Sequence, residues 1–164
     1  MSTAPAWRIG QGIDVHPLKP RVNGIVTLGG IEIHCGLEIE AESDGDILLH
    51  ALADALLGAA GLTDIGDLYP AGTGAGLSGA RLIRRVLDEL ASSGYQPVQV
   101  DLTLVAEQPK LAPWREQIRT NVAQLLHVAS GSVGIKATTT DGLGMLGRKE
   151  GIAAFAVAVI GSSG

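Results

Sequence analysis

Several stretches of the chain predict β-strands, either because apolar and polar residues alternate with a period of two or, at the C-terminal end, because the run is short and wholly apolar. These stretches are Trp7–His16, Ile25–Ile33, Val98–Val105, Val133–Thr140 and Gly151–Ile160. We expect the second stretch to pair with the first as a hairpin. The turn would lie near Asn23 and Gly24, because Asn-Gly is a common turn dipeptide.

Other stretches repeat apolar residues at helical spacing and predict three helices. The first begins near Ser43 or Asp44, and its apolar stripe consists of Leu48, Leu52, Ala55, Leu56 and Ala59. The second spans Ala80–Ser92 with Ser78 as its N-cap, and the third spans Pro109–His127. Polar and glycine-rich stretches predict loops at Gly36–Gly45, Asp64–Tyr69, Ala71–Gly79 and Asp141–Lys149.

The order of these elements lacks the strict alternation of strand and helix that a parallel α/β protein shows. It predicts a two-layer α+β fold, in which a mixed β-sheet carries its helices on one face. The 164 residues are expected to form a single domain, residues 1–164. Mean hydropathy is +0.28 although only 3% of the residues are aromatic. We therefore expect the open face of the sheet to be buried between subunits.

Charge and cysteine content exclude several classes of partner. The formal net charge is −5 without a basic run, which argues against nucleic acid because binding to phosphate backbones requires a cationic surface. No apolar run is long enough to span a membrane. The single cysteine, Cys35, cannot form an internal disulfide. Because Met1–Trp7 is too short and uncharged for a targeting peptide, we expect a free-standing bacterial protein of the reducing cytoplasm.

A small set of polar residues has the spacing of a metal site. Asp14 and His16 are two apart in the first strand, so both side chains lie on one face. His50 lies on the first helix opposite the apolar stripe, in a polar row with Asp46 and Asp54. Two imidazoles and one carboxylate form a common ligand set of catalytic zinc. Spacing alone leaves open that the histidines are ordinary surface residues.

Four runs of residues occur in the order found in a known family. They are Arg8–His16, then Ser43–Asp46 with His50–Ala59, then Asp64–Gly66, and finally Lys136–Thr140 followed by Gly147–Arg148 and Glu150–Gly151. On these motifs the chain resembles the 2-C-methyl-D-erythritol 2,4-cyclodiphosphate synthase family, phosphorus–oxygen lyases of the non-mevalonate isoprenoid pathway. The match extends from about Arg8 to Ile160, nearly the whole chain.

The resemblance implies a reaction, two kinds of metal ion and an assembly. The family converts 4-diphosphocytidyl-2-C-methyl-D-erythritol 2-phosphate into the cyclic diphosphate, as the 2-phosphate attacks the β-phosphorus and CMP leaves. By this resemblance Asp14, His16 and His50 bind Zn²⁺. Asp141, where the family has glutamate, would bind Mg²⁺ or Mn²⁺. The resemblance also implies a homotrimer with active sites at the subunit interfaces.

Further residues are assigned to the substrate by the same resemblance. It implies transition-state stabilisation by Thr139, cytosine recognition by Ala106–Ala112 and ribose binding by Asp64–Gly66. The implied substrate site consists of Asp14, Val15, His16, Glu42, Ser43, Asp64, Ile65, Gly66, Tyr69, Thr73, Ala106, Lys110, Leu111, Ala112, Thr138, Thr139, Thr140, Asp141, Met145 and Arg148. Without the resemblance, Thr138–Thr140 is equally well an ordinary β-branched strand.

Some positions depart from the family pattern. Glu42 replaces a histidine that the family uses in transition-state stabilisation, and a carboxylate repels phosphate instead of donating to it. Glu42 therefore points elsewhere, binds a metal, anchors its loop, or slows the enzyme. Ala71 and Gly72 replace acidic residues that contact the methylerythritol hydroxyls.

Two alternative functions remain open at this point. The chain could be a paralogue that binds zinc and a nucleotide with little or no turnover, and Glu42 and Ala71 favour this alternative. It could also be a zinc hydrolase that uses bound water. A hydrolase requires only the metal ligands and leaves the Thr138–Asp141 run unexplained.

Overall fold

The computed structural model describes residues 7–163, and its main layer is a five-stranded sheet. The strands of the molecule are β1 Trp7–Pro20, β2 Ile25–Leu28, β3 Ile31–His34, β4 Leu37–Ile39, β5 Tyr95–Val105, β6 Val133–Thr138 and β7 Gly151–Ser162. The main sheet has the order β4-β1-β7-β5-β6. β5 and β6 run parallel and the other neighbours antiparallel, so the sheet is mixed as predicted.

Helices cover one face of this sheet. They are α1 Ile47–Ala60, α2 Ile65–Leu68, α3 Gly79–Ser92, α4 Arg115–Leu126 and α5 Gly144–Gly147. The β7 residues Ala154, Ala156 and Ala158 point toward the helices and are buried. Their neighbours Phe155 and Val157 are exposed on the opposite face. The predicted two-layer α+β architecture is therefore confirmed for the single chain.

The stretch Ile25–Ile33 does not pair with the first strand, and this prediction is wrong. It divides at Gly29 and Gly30, whose φ angles of 58° and 80° allow a tight turn. β2 and β3 consequently pair with each other in a separate two-stranded sheet, and β1 pairs with β4 and β7. The predicted loop Gly36–Gly45 contains β4, because Leu37–Ile39 pairs with the end of β1.

The other elements agree with the sequence pattern apart from their ends. Ser78 caps α3 as predicted, because its Oγ accepts a hydrogen bond from Arg81 N at 3.3 Å. The third predicted helix begins at Arg115 and not at Pro109. Pro109 and Pro113 lack backbone N–H donors and restrict the residues before them. The one-turn helices α2 and α5 lie within two of the predicted loops.

β1 and α1 approach so closely that two strand positions accept only glycine. A Cβ atom on Gly10 would lie 2.0 Å from Ala55 O, and one on Gly12 would lie 1.9 Å from Ala51 O. The backbones of strand and helix are therefore in direct contact. The next inward position of β1 is Asp14, so this contact also sets how far Asp14 stands from the helix.

Asp46 does not belong to the polar row predicted for the first helix. It precedes α1 as its N-cap and is fully buried. Its carboxylate accepts hydrogen bonds from Leu49 N at 3.1 Å, Gly29 N at 2.9 Å and Gly30 N at 2.6 Å. Burial raises the pKa of Asp46 to about 6, against the effect of these donors. The hydrogen bonds of Asp46 thus connect the β2–β3 turn to the start of α1.

The expectations about membrane spans, disulfides and targeting peptides can be compared with the structure only over the residues that it describes. No helix in the described part, residues 7–163, is long and apolar enough to cross a membrane. Cys35 is half-buried and has no disulfide, in agreement with the sequence. The expected lack of a targeting peptide concerns residues 1–6, which lie outside the described residues.

Candidate metal centre and its pocket

Asp14 and His16 of β1 and His50 of α1 meet between the sheet and the helix. Asp14 Oδ2 lies 3.1 Å from His16 Nε2 and 3.2 Å from His50 Nδ1. One ligand atom from each residue lies within 4.8 Å of the other two, a spacing that one metal ion can bridge. The structure therefore brings together the three residues predicted as metal ligands.

The surroundings of these side chains fit a divalent cation. Asp14 Oδ2 is buried and accepts no hydrogen bond of good geometry. The outer nitrogen of each ring has a partner, because His16 Nδ1 lies 3.1 Å from Glu40 O and His50 Nε2 lies 3.3 Å from Ser43 Oγ. Such outer contacts orient the rings in metal sites and leave the inner nitrogens for the ion.

Asp14 has the charge state that suits a metal ion, whereas a proton on His16 would compete with the ion. Burial raises the pKa of Asp14, but the nearby imidazoles of His16 and His50 outweigh burial and lower the pKa to about 2. The contact with Asp14 raises the pKa of His16 above its usual value. Asp14 is therefore an ionised carboxylate at neutral pH, the form that binds a cation.

The cluster forms one wall of a pocket of about 360 Å³. The other walls come from the loop before α1, from α2 and from the segment 70–78. The implied substrate residues that line it are Asp14, His16, Glu42, Ser43, Ile65, Gly66 and Tyr69, and the implied zinc ligand His50 lines it as well. Asp64 caps α2 nearby, and Thr73 lies in segment 70–78. Val15 is exposed, and by strand alternation its side chain points to the opposite face of the sheet.

The remaining implied residues lie around the ends of β5 and β6. Ala106 N donates to Thr138 O at 3.0 Å, and Gly142 N donates to Glu107 Oε1 at 3.3 Å. The loop after β6 therefore packs beside the end of β5. This second group consists of Ala106, Lys110, Leu111, Ala112, Thr138, Thr139, Thr140, Asp141, Met145 and Arg148.

Within one chain the second group does not meet the metal cluster. β6 is the third strand from β1, so Thr138–Asp141 at the end of β6 lie about 14 Å from the cluster at the usual strand spacing, and no residue of the second group lines the pocket of the cluster. Leu111 is buried in the core, which leaves its backbone for any ligand contact. Arg148 pairs with Glu150 of the same chain, with Nε 2.9 Å from Oε1.

Thr139 and Asp141 occupy an exposed turn after β6. Asp141 N donates to Thr139 Oγ1 at 3.2 Å, and Asp141 adopts a positive φ of 53°. Among residues 7–163, the group of His, Cys, Asp and Glu side chains that could surround an ion is the Asp14 cluster alone. An ion at Asp141 would therefore take most of its ligands from water, substrate or a neighbouring subunit.

Glu42 makes contacts that the sequence does not reveal. Its Oε2 accepts a hydrogen bond from Gly72 N at 3.2 Å, and its carbonyl oxygen accepts one from Gly76 N at 3.4 Å. These contacts tie segment 70–78 to the loop before α1. They favour the interpretation that Glu42 anchors its loop. The local sequence pattern does not predict these hydrogen bonds, because Glu42 and Gly72 are 30 positions apart.

The fold and the site define an α+β domain with a mixed sheet and an Asp-His-His candidate metal centre beside a pocket. A family model matches residues 7–161, and the chain belongs to this family, the YgbB family. The matched range contains every residue that the sequence motifs assigned to the site.

Curated bacterial relatives are similar along nearly their whole length. The 2-C-methyl-D-erythritol 2,4-cyclodiphosphate synthase of Thioalkalivibrio sulfidiphilus is 50% identical over 157 residues, which cover 94% of this chain and 97% of the relative. The synthase of the same name from Symbiobacterium thermophilum is 49% identical over 154 residues, covering 93% and 97%. The resemblance drawn from the sequence motifs is therefore confirmed.

Solved structures give the same result for the fold. The CDP complex of IspF from Plasmodium falciparum has a TM-score of 0.86 and 31% identity, and the match covers 99% of this chain and 100% of that one. The bifunctional IspDF of Campylobacter jejuni has a TM-score of 0.90 and 35% identity, covering 95% of this chain and 42% of that one.

The geometry of the cluster predicts a metal site that depends on His50. Equilibrium dialysis against Zn²⁺, followed by elemental analysis, should give about one ion per chain, and His50→Ala should lose most of it. His34→Ala is the matched control, because His34 is exposed and lies outside the cluster. Tight zinc binding by a variant that carries both His16→Ala and His50→Ala would contradict the assignment.

Proposed function

We propose that this chain converts 4-diphosphocytidyl-2-C-methyl-D-erythritol 2-phosphate into 2-C-methyl-D-erythritol 2,4-cyclodiphosphate and CMP, as a phosphorus–oxygen lyase of the non-mevalonate isoprenoid pathway. One observation carries the proposal. Asp14, His16 and His50 converge in a pocket, in a chain whose relatives at about half identity are named for this reaction. We also propose that the chain is a single domain and acts in the bacterial cytoplasm.

The reaction requires positioning and charge compensation more than acid–base chemistry. An oxygen of the 2-phosphate attacks the β-phosphorus, and the new P–O bond closes the ring. The bond from the β-phosphorus to the bridging oxygen breaks, and this oxygen leaves with CMP. The substrate supplies the nucleophile, so no serine, cysteine or histidine nucleophile is needed.

The chain's own residues have distinct roles in this proposal. Asp14, His16 and His50 would hold Zn²⁺, which when bound would polarise a phosphate oxygen and offset its charge. Asp141 would offer a carboxylate oxygen to Mg²⁺ or Mn²⁺, which could offset the charge of the diphosphate. Thr139 can donate its hydroxyl proton to a phosphate oxygen without adding charge.

The nucleotide end of the substrate is assigned to two other segments. The Asp64–Gly66 turn holds the ribose, and the backbone of Ala106–Ala112 recognises the cytosine edge. Three observations support the assignment: both segments are exposed at several positions, Ile65 and Gly66 line the metal pocket, and the similar structure of IspF from Plasmodium falciparum is a CDP complex.

We infer that the site is completed in a homotrimer. The open face of the sheet exposes Ile9, Ile13, Phe155 and Val157, and Ile13 lies opposite Phe155 in the strand register. A contiguous apolar face of this kind indicates a buried interface. In addition, Thr139 is about 14 Å from the metal cluster of its own chain at the usual strand spacing. A neighbouring subunit can bring its Thr139 closer.

A zinc- and nucleotide-binding paralogue with little turnover is the second candidate. The observation that favours it is Glu42, a carboxylate in the pocket at the position where the sequence resemblance implies a histidine. A carboxylate beside two phosphates repels them, and this repulsion would slow the reaction without preventing zinc or nucleotide binding.

Release of CMP from the diphosphocytidyl substrate tests the proposed function. The zinc- and magnesium-loaded protein should release CMP and form the cyclic product, and Thr139→Ala should lower turnover roughly a hundredfold through loss of a donor to the transition state. Thr120→Ala on α4 is the matched control because Thr120 is exposed and distant from the site. Binding of CDP without turnover would indicate the paralogue, and a linear hydrolysed product would indicate a hydrolase.

The assembly can be tested through its apolar face. Light scattering should give a mass about three times the chain mass of 16.8 kDa. Val157→Lys should produce a monomer that keeps its zinc but no longer releases CMP, because a charge is placed in the interface. Val22→Lys should remain trimeric, since Val22 is 89% exposed and lies outside the sheet. A stable, active monomeric parent would refute the shared site.

Two substitutions can distinguish the effect of the negative charge of Glu42 from the effect of its hydrogen bond to Gly72 N. If Glu42 anchors segment 70–78, Glu42→Ala should lower turnover about fivefold, whereas Glu42→Gln should keep it, because the amide oxygen can accept the same Gly72 N–H. Zinc content should not change in either variant, which elemental analysis can verify. A rise in turnover for Glu42→Ala would instead show that the charge is harmful and the anchor dispensable.

A further inference from the structure

Asp54 lies on α1 one turn after the metal ligand His50 and supports a different part of the pocket. Its Oδ1 accepts a hydrogen bond from Ile65 N at 2.9 Å. Ile65 is the first residue of α2, and Ile65 and Gly66 line the pocket that contains His50. One face of α1 therefore carries a metal ligand and, four residues later, the support of the adjoining pocket wall.

α2 depends on this contact because it has little apolar anchoring. None of its residues is fully buried. Its first N–H groups are bound by two carboxylates: Asp54 accepts from Ile65, and Asp64 Oδ1 accepts from Gly66 at 2.9 Å. Asp64 stabilises the turn internally, whereas Asp54 connects the turn to α1. Asp54 is not part of the metal cluster.

We propose that Asp54 is a positioning residue for nucleotide binding, which fixes the Asp64–Gly66 turn against the metal-bearing helix. The inference rests on the proposed function, which assigns this turn to the ribose of a cytidine nucleotide. Asp54 acts through the backbone of Ile65 and does not touch the reacting phosphates. Its loss should therefore weaken the binding of nucleotide and substrate and leave the metal and the chemical step almost unchanged.

The hydrogen bond has a conservative substitute, which makes the role testable. Asp54→Asn retains an oxygen that can accept the Ile65 N–H, and Asp54→Ala does not. Asp88→Ala on α3 removes an exposed acid of the same type and leaves α2 untouched. Calorimetric titration with CDP in zinc and magnesium, together with steady-state kinetics and zinc analysis, measures all three variants against the parent.

We expect Asp54→Ala to raise the CDP dissociation constant and KM roughly tenfold, with kcat within about twofold and zinc content unchanged. Asp54→Asn and Asp88→Ala should bind CDP within about twofold of the parent. If Asp54→Ala does not fold, Asp54→Ser provides the same comparison, because its hydroxyl is too short to reach Ile65 N.

Three results would overturn the inference while the proposed function stands. They are unchanged CDP affinity in Asp54→Ala, loss of zinc from that variant, and CDP binding by Asp54→Asn as weak as that of the alanine variant. A parent that binds zinc but not CDP would instead refute the nucleotide assignment of the proposed function, and the role of Asp54 with it.

Discussion

The direct contact between β1 and α1 is the constraint on which the site depends. Gly10 and Gly12 bring the strand backbone against the carbonyl groups of the helix, where no Cβ atom fits. Only at this separation can His50, a residue of the helix, reach within 3.2 Å of Asp14, a residue of the strand. Because α1 is almost completely buried, neither element can shift to correct an error in their spacing. The arrangement of the three candidate metal ligands is thus a consequence of backbone packing.

Electrostatics explains why such a centre would be necessary in this chain. The net charge is −5, and the pocket that holds the cluster is lined by Asp14 and Glu42 but by no lysine or arginine. An anionic substrate would be repelled unless cations compensate its charge. Bound metal ions can provide this compensation, and so can exposed cationic residues such as Lys110 and Arg148 from a neighbouring subunit. The negative charge of the pocket and the separation of the two groups of residues therefore both favour the proposed assembly.

The sequence predicted those features that are local or periodic. The strand alternation, the Ser78 cap and the shared face of Asp14 and His16 follow from neighbours in sequence, and the structure agrees with each. The pairing of Ile25–Ile33 was not predictable in this way, because it depends on the later segment Leu37–Ile39, which occupies the edge of β1 in the folded chain. The hydrogen bonds between acidic side chains and the pocket loops could not be predicted either. Each joins a side chain to a backbone N–H, which has no residue-specific signal in the sequence.

These polar contacts also determine which carboxylate is left to bind a metal. The sequence around the site is rich in acids, and by spacing alone several could be ligands. Those whose oxygens accept backbone N–H hydrogen bonds are Glu42, Asp44, Asp46, Asp54 and Asp64. They hold the loops, the caps and α2 in place, and a cation would have to displace these bonds. Asp14 differs from them, because its buried Oδ2 has no hydrogen bond of good geometry and two imidazole nitrogens beside it. The two imidazoles keep this carboxylate ionised, so among these acids Asp14 is the one whose oxygen is both charged and not engaged by a backbone N–H, which makes it the best candidate for a metal ligand.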